Sequence, residues 1–314
     1  MTDVAILIPC YNEAKTIAKV INDFKAQLPL AEIYVYDNNS TDDTVKIAKE
    51  NGAFVKHCYQ QGKGNVVRQM FFEIDANCYI MVDGDDTYDA SSVKEMVDLV
   101  LSGQVDMVVG DRLSSTYFDE NKRLFHNQGN KLVRKLINVL FKADIKDVMS
   151  GYRALSYRFV KTFPVLTKGF EIETEMTIHA VDKNLSINHV VCSYRDRPKD
   201  SESKLKTIPD GCRVLKTIIM MCSTYKPFQF FGSISLILFL LGIGFFLPIF
   251  SDYLISGIVQ NFPTLIMCCC VWMISIQSLF SGLILDVFHK KNRQDFEYRL
   301  GKMTEQKKEL NKKI

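Results

Sequence analysis

Tyr79-Ile80-Met81-Val82-Asp83-Gly84-Asp85-Asp86-Thr87-Tyr88-Asp89 decides how this chain is read. Four apolar residues run directly into four carboxylates spread over seven positions. The apolar run has the character of a buried strand. Carboxylates crowded at its end repel one another, and a bound divalent cation would offset that repulsion. Oxygen ligands suit Mg²⁺ or Mn²⁺. A solvated acidic turn is the plain alternative. An EF-hand fails, because its sixth and twelfth positions would be Tyr88 and Lys94 rather than Gly and Glu.

Upstream and downstream of that strand the pattern repeats. The spacing predicts strands over 4–9, 33–37, 53–58, 78–83 and 107–111. It predicts helices between them over 13–28, 41–51, 64–74 and 91–102. Such alternation implies a largely parallel α/β sheet with helices on both faces. Ligands bind such sheets beyond the carboxyl ends of the strands. Each polar motif falls there. Pro9-Cys10-Tyr11-Asn12-Glu13 follows the first strand and Asp37-Asn38-Asn39-Ser40-Thr41-Asp42-Asp43 ends the second. Ser40 reads as an N-cap with Asp43 completing it, which leaves Asp37 for a base or ribose. Gln61-Gly62-Lys63-Gly64 opens the third helix, where a helix N-terminus and an ammonium favour an anion; an exposed turn is the alternative. Gly110-Asp111-Arg112, Asp147 to Arg153, Gly169 to Glu175 and Tyr194 to Leu205 supply further charged clusters. No GxGxxG or GxxxxGK[ST] follows a strand, so dinucleotide and P-loop readings are disfavoured.

The 314 residues have ordinary globular composition, 47% hydrophobic and 24% charged. Disordered and fibrous classes are excluded. Of 39 Lys/Arg and 36 Asp/Glu, nine and five fall in residues 286–314. The tail therefore carries +4 and the remainder −1, which is no nucleic-acid-binding face. Nine cysteines show no CxxC or Cys/His ligand spacing and read as reduced thiols. Met1-Thr2-Asp3 leads straight into the first strand with no basic leader, so no signal peptide is expected.

Residues 227–251 hold no charge, and after Asp252 neither do residues 253–285. Two membrane spans are expected at about 228–250 and 262–285, since ~20 apolar residues cross a bilayer. Lys216 and Lys226 precede the first; His289, Lys290, Lys291 and Arg293 follow the second. The connecting loop has no Lys or Arg, so both ends are expected to be cytosolic. The expected organisation is a catalytic domain over 1–207, an interfacial segment over 208–226, a two-helix anchor over 227–287 and a basic tail over 288–314.

The motifs IPCYNE, YDNNSTDDT, GKG, DGDD, GDR, SGYR and SESKL, in this order, resemble family 2 glycosyltransferases of the GT-A type. The dolichol-phosphate mannose synthase-like group is the nearest likeness, over roughly residues 3–210. The two-span C-terminus is similar to bacterial polyisoprenyl-phosphate glycosyltransferases. The resemblance implies a Rossmann-like nucleotide-sugar-binding domain with a transmembrane anchor, at the cell membrane. It implies an inverting transfer of a sugar from a nucleotide sugar, UDP-GlcNAc or UDP-glucose before GDP-mannose, to a polyprenyl phosphate. By motif position, Pro9, Tyr11, Glu13, Asp37, Asn39, Lys63, Asp83 and Gly84 would hold the nucleotide. Asp85, with Asp83, would hold Mg²⁺ or Mn²⁺; Thr87 stands where some relatives have Gln. Arg112, Arg153, Arg197 (or its neighbour Arg195), Ser203 and Lys204 would face the acceptor phosphate. Asp147 would orient the acceptor or act as base. Nucleic acid is not an expected partner, and self-association is left open. A polysaccharide synthase is the rival enzyme, disfavoured because Trp272, the only Trp, falls inside a span. A non-catalytic nucleotide-sugar sensor is the other rival.

Overall fold

The computed structural model describes residues 2–112, 134–169, 171–195 and 219–312. The chain divides into two compact units, Met1–Ile208 and Pro209–Ile314. In the first, β1 (Thr2–Cys10), α1 (Ile17–Gln27), β2 (Glu32–Asp37), α2 (Thr44–Glu50), β3 (Phe54–His57), α3 (Lys63–Glu73), β4 (Ala76–Met81), α4 (Val93–Leu101) and β5 (Met107–Asp111) alternate as the hydrophobic pattern requires. A helix over 134–141, α5, comes next. It is followed by β6 (Arg153–Ser156), α6 (Tyr157–Thr162), α7 (Ile172–Asp182) and β7 (Ile187–Val191).

The seven strands lie in the order β3-β2-β1-β4-β6-β5-β7. β1 pairs in parallel with β2 on one side and β4 on the other. From β1 the chain first builds outward through β2 and β3, then returns through α3 to β4. The carboxyl ends of β1 and β4 therefore flank the point where strand order reverses, the crevice where open α/β sheets bind ligands. The DGDD segment leaves β4 at that point. β6 is antiparallel to both β4 and β5. Its four residues are too few to show a period-2 pattern, so it was not legible in the sequence.

Helix faces follow from spacing. Ile17, Val20, Ile21 and Phe24 of α1, and Val93, Met96, Val97 and Val100 of α4, are buried at the i, i+3, i+4, i+7 positions. Each such side chain contributes about 1.5–3 kcal/mol on burial. They join Tyr88 and Tyr152 in one core cluster. Phe24 meets the Tyr152 ring edge-on at 5.7 Å, and Tyr88 lies 5.5 Å from it. The DGDD and SGYR segments are thus anchored by aromatic rings in the core.

Two expected helices start late. α1 begins at Ile17 rather than 13, and α2 at Thr44 rather than 41. Residues 12–16 and 38–43 are held in loops that bind each other. Ser40 is not the cap: its Oγ accepts from Asn12 N–H at 2.9 Å. Asp42 instead accepts from Thr44 N–H at 3.0 Å and Ala14 N–H at 3.1 Å. Burial raises its pKa, but the bonds from Thr44 and Ala14 outweigh that and hold the carboxyl below its usual range.

In the second unit, α8 (Pro227–Ser256) and α9 (Phe262–Lys312) are both long and apolar enough to cross a membrane. The first extends past residue 250 to Gly257, whose φ of 69° caps it. The second does not stop at residue 285. It continues unbroken through the basic tail. The helices pack through small polar residues, as helices without a hydrophobic driving force do. Ser275 Oγ lies 3.1 Å from Ser235 Oγ and donates to the Ser235 carbonyl at 2.8 Å. Ser278 Oγ donates to the Phe231 carbonyl at 3.0 Å. Trp272 stands against Gly242, where any side chain would collide with the indole. Of the interfacial segment expected over 208–226, residues 208–218 lie outside the described residues, and 219–225 are helical.

Candidate active site

The site is assembled from the loops that follow β1, β2 and β4. Asn12 and Asn39 adopt the left-handed backbone, φ 55° and 66°. Asparagine tolerates that conformation because its short amide bonds locally. Asn12 Oδ1 accepts from Thr41 N–H at 2.8 Å, and Glu13 N–H donates to Thr44 Oγ1 at 2.9 Å. Asn38 donates to the carbonyls of Cys58 and Gln60, both at 2.9 Å, and accepts from Gly62 N–H at 2.7 Å. These bonds fix three loops with no ligand needed.

Asp37 is buried at the end of β2. Its carboxylate lies 2.9 Å from His57 Nδ1 and accepts from Ser40 N–H at 3.3 Å. His57 Nε2 lies 3.1 Å from Asn39 Oδ1. Asp37, Asn39 and His57 thus form one cluster, with Pro9 and Cys10 in register beside Tyr36 and Asp37. Tyr11 is exposed and Glu13 half-buried at the β1 end. Sequence reasoning missed His57. It sits in an unremarkable strand, and only the β2–β3 pairing brings it to Asp37.

The carboxylates after β4 divide their work. Asp86, at φ 57°, bonds Lys19 Nζ at 2.6 Å. Asp89 accepts from Ser91 N–H at 3.0 Å and caps a short helical turn. Both have local partners. Asp85 is buried, and Thr87 Oγ1 donates to its Oδ1 at 2.7 Å. Thr87 therefore orients Asp85. Gly84 is required by close approach, since a Cβ there would lie 2.8 Å from Cys10 Sγ. Thr16 Oγ1 donates to the Gly84 carbonyl at 2.6 Å, tying the β1 and β4 loops together.

Asp83 faces Lys63. Lys63 Nζ lies 2.5 Å from Asp83 Oδ1 and 2.5 Å from Glu173 Oε1. Burial lowers the pKa of this lysine, but Asp83 and Glu173 outweigh burial and hold it well above the ordinary range. The glycines around Lys63 allow close packing against the segment before α7. Gly62 has φ +127°, and a Cβ at Gly62 or Gly64 would collide with the carbonyls of Lys168 or Thr167. Gly151 of the SGYR segment lies against the Asp83 carboxylate. Its N–H donates to Tyr88 Oη at 2.9 Å.

The basic residues separate into three cases. Arg112 Nε donates to Asp147 Oδ2 at 2.7 Å, and the guanidinium lies 5.4 Å from the Tyr194 ring centroid. Asp147 is fully buried, and its Oδ1 accepts from Met149 N–H at 3.1 Å. Both carboxylate oxygens are engaged, an arrangement that suits orienting Arg112 better than accepting a proton. Arg153 is the second case. It is fully buried and donates to the carbonyls of Ser150 at 2.9 Å and Val148 at 2.7 Å, and to Thr177 Oγ1 at 3.0 Å. Burial pushes its pKa down to about 10. It is an internal strut that shapes the SGYR loop. Arg197, Ser203 and Lys204 lie outside the described residues.

No cluster of three or more His, Cys, Asp or Glu suited to a metal occurs among the described residues. Asp83 and Asp85 offer two carboxylates, one shared with Lys63. That set fits a cation which completes its shell with substrate phosphates and water, as Mg²⁺ commonly does. It does not fit a protein-only cage.

The model of the family described as glycosyl transferase family 2 matches residues 5–163, and the chain belongs to that family. Glycosyltransferase AglJ of Haloferax volcanii is 30% identical over 295 residues, covering 94% of this chain and 96% of that protein. A dolichyl-phosphate hexose transferase of the same organism is 28% identical over 221 residues, covering 70% and 94%. Among solved structures, glucosyl-3-phosphoglycerate synthase from Mycobacterium tuberculosis, in complex with Mn²⁺, UDP and phosphoglyceric acid, matches with a TM-score of 0.55. It is 21% identical over 71% of this chain and 78% of that one. That likeness is one of fold, the GT-A arrangement.

Proposed function

We propose that this glycosyltransferase moves a hexose or N-acetylhexosamine from a nucleoside diphosphate sugar to a polyprenyl phosphate at the cell membrane. The observation that carries the reading is a conjunction in one chain. A carboxylate pair stands at the switch point of a GT-A sheet, and two helices of membrane-crossing length and apolarity follow. A relative named for dolichyl phosphate supports the acceptor. UDP sugars are favoured as donors, in line with the UDP complex of the structural neighbour.

An acceptor phosphate oxygen attacks the anomeric carbon. The bond from that carbon to the β-phosphate oxygen breaks, and its electron pair leaves with the nucleoside diphosphate. The single displacement inverts the anomeric centre. The acceptor's second pKa is about 6, so the nucleophile is already anionic near neutral pH and needs no strong base. Asp85 and Asp83 would hold a divalent cation, Mg²⁺ or Mn²⁺, that offsets charge on the departing diphosphate. Asp37, Asn39 and Tyr11 bind the nucleoside end. Arg112, steadied by Asp147, faces the acceptor phosphate through its planar fork. The basic flanks of the spans support a cytosolic placement of the catalytic unit and the tail.

Membranes carrying the protein, incubated with polyprenyl phosphate and labelled nucleotide sugars, should transfer label to the organic phase with one sugar of the panel. Label that stays aqueous with every donor would overturn the acceptor assignment.

A further inference from the structure

Lys63 is claimed by two carboxylates, Asp83 from the loop after β4 and Glu173 from the first turn of α7. Its side chain is 8% exposed and that of Glu173 6%, whereas Asp83 is 28% exposed. The ammonium is therefore shielded, with Glu173 on the protein side and Asp83 toward the crevice. The placement is built from both directions. Gly64 N–H donates to the Lys168 carbonyl at 3.1 Å, which docks the start of α3 on the segment before α7. Glu175 accepts from Leu166 N–H at 3.2 Å and Thr167 N–H at 3.1 Å, which ties that segment back to α7. Glu173 itself lies in the first turn of α7, where the helix dipole favours a negative charge.

A lone Asp83–Lys63 pair would leave Asp83 close to neutralised. Sharing the ammonium with Glu173 changes that. Two carboxylates, one buried and one partly exposed, compete for one positive charge, and neither takes it whole. We infer that Glu173 is a positioning residue for the cation site: it shares the Lys63 ammonium equally with Asp83, 2.5 Å from each, so that Asp83 keeps charge for the cation and diphosphate. The inference rests on the cation reading given above. It assigns a role to the Gly169–Glu175 motif, which the transfer chemistry does not otherwise use.

Mn²⁺ binding to the full-length protein in detergent, measured by electron paramagnetic resonance with saturating UDP, tests this without turnover. Glu173→Gln keeps the shape and leaves Lys63 paired with Asp83, so the fold is retained. Its Mn²⁺ dissociation constant should rise about 10-fold. Glu173→Asp keeps the charge but withdraws the carboxylate by one methylene, and should weaken Mn²⁺ at least 3-fold. Adding Lys63→Met to Glu173→Gln removes the ammonium from Asp83 and should return Mn²⁺ affinity to within about 3-fold of wild type. Unchanged Mn²⁺ affinity in Glu173→Gln would reduce Glu173 to a structural residue. Wild-type affinity in Glu173→Asp would mean that net charge alone matters. Either result overturns the inference and leaves the proposed function standing. Failure of the wild type to bind Mn²⁺ overturns the cation reading and this inference with it.

Discussion

His57 Nδ1 lies 2.9 Å from Asp37 Oδ2, which makes a strand-end histidine the partner of the buried carboxylate that ends β2 and is proposed to bind the nucleoside. Asp37 is buried and His57 is 38% exposed, so the pair is open on the histidine side only. A hydrogen bond to a charged group is worth about 1.5–3 kcal/mol, and partial exposure reduces that. His57→Ala should therefore weaken nucleotide binding by about 5- to 10-fold while leaving kcat at saturating donor near wild type. Calorimetric titration with UDP reads the first and steady-state kinetics the second. A fall in kcat with unchanged nucleotide affinity would remove Asp37 from the nucleoside site.

Arg153 makes a different claim, about stability. Its guanidinium satisfies the carbonyls of Ser150 and Val148 in a fully buried position. Arg153→Lys keeps a charge but cannot span both carbonyls. Each buried group left without a partner costs about 1–3 kcal/mol. The variant should lose roughly 2–5 kcal/mol. At about 2–4 °C per kcal/mol for a unit of this size, its melting temperature should fall by roughly 5–15 °C. Differential scanning fluorimetry on the detergent-solubilised protein measures this. A variant that melts like wild type but fails to use lipid acceptor would place Arg153 in the phosphate site.

Sequence and structure part company at long-range pairing. The β1–β5 alternation, the motif positions at strand ends and the two apolar helices were legible because period and composition are local properties. The partner of a charged residue is not local. Glu173 and Lys63 are separated by 110 positions, and His57 and Asp37 meet only across a strand pair. The burial of Arg153 was out of reach for the same reason: nothing in its local sequence shows that the carbonyls of Val148 and Ser150 fold over it. The Asp85–Thr87 bond was within reach, since the two residues are neighbours in one turn.

His179 gives the fold a calculable response to pH. It packs against the Phe159 and Phe163 rings at 5.7 and 5.1 Å. Burial, and then Lys183, lower its pKa from 6.5 to about 4, while Asp182 pulls the other way. The unfolded chain therefore binds a proton near pH 6.5 that the native protein refuses until about pH 4. Stability from this group is complete above pH 6.5 and declines as pH falls toward 4, by about 3 kcal/mol at most. His179→Phe should flatten that part of the curve of denaturant midpoint against pH. An unchanged slope in the variant would assign the acid sensitivity to other groups.

Arg112 and Asp147 separate the two roles open to a buried carboxylate at the proposed acceptor site. If Asp147 orients Arg112, the pair acts as a unit and the proton inventory of the reaction does not involve it. Arg112→Lys keeps the charge but loses the planar fork that grips phosphate oxygens. It should impair lipid-acceptor use by about 10- to 100-fold, or 1–3 kcal/mol, with nucleotide affinity unchanged. Asp147→Asn retains an oxygen that Arg112 can bond, so it should show the same acceptor defect at smaller size. In the Arg112→Lys background it should add little, because residues acting through one another are not additive. A general base would behave otherwise. Asp147→Asn would then lose kcat at saturating acceptor, the loss would persist in full with Arg112→Lys, and the acid limb of the pH–rate profile would change shape. Acceptor titrations of the two single variants and the double variant over pH 5–8 distinguish these outcomes. The 2.7 Å bond between Arg112 Nε and Asp147 Oδ2, with Asp147 Oδ1 already bonded to Met149 N–H, favours the first.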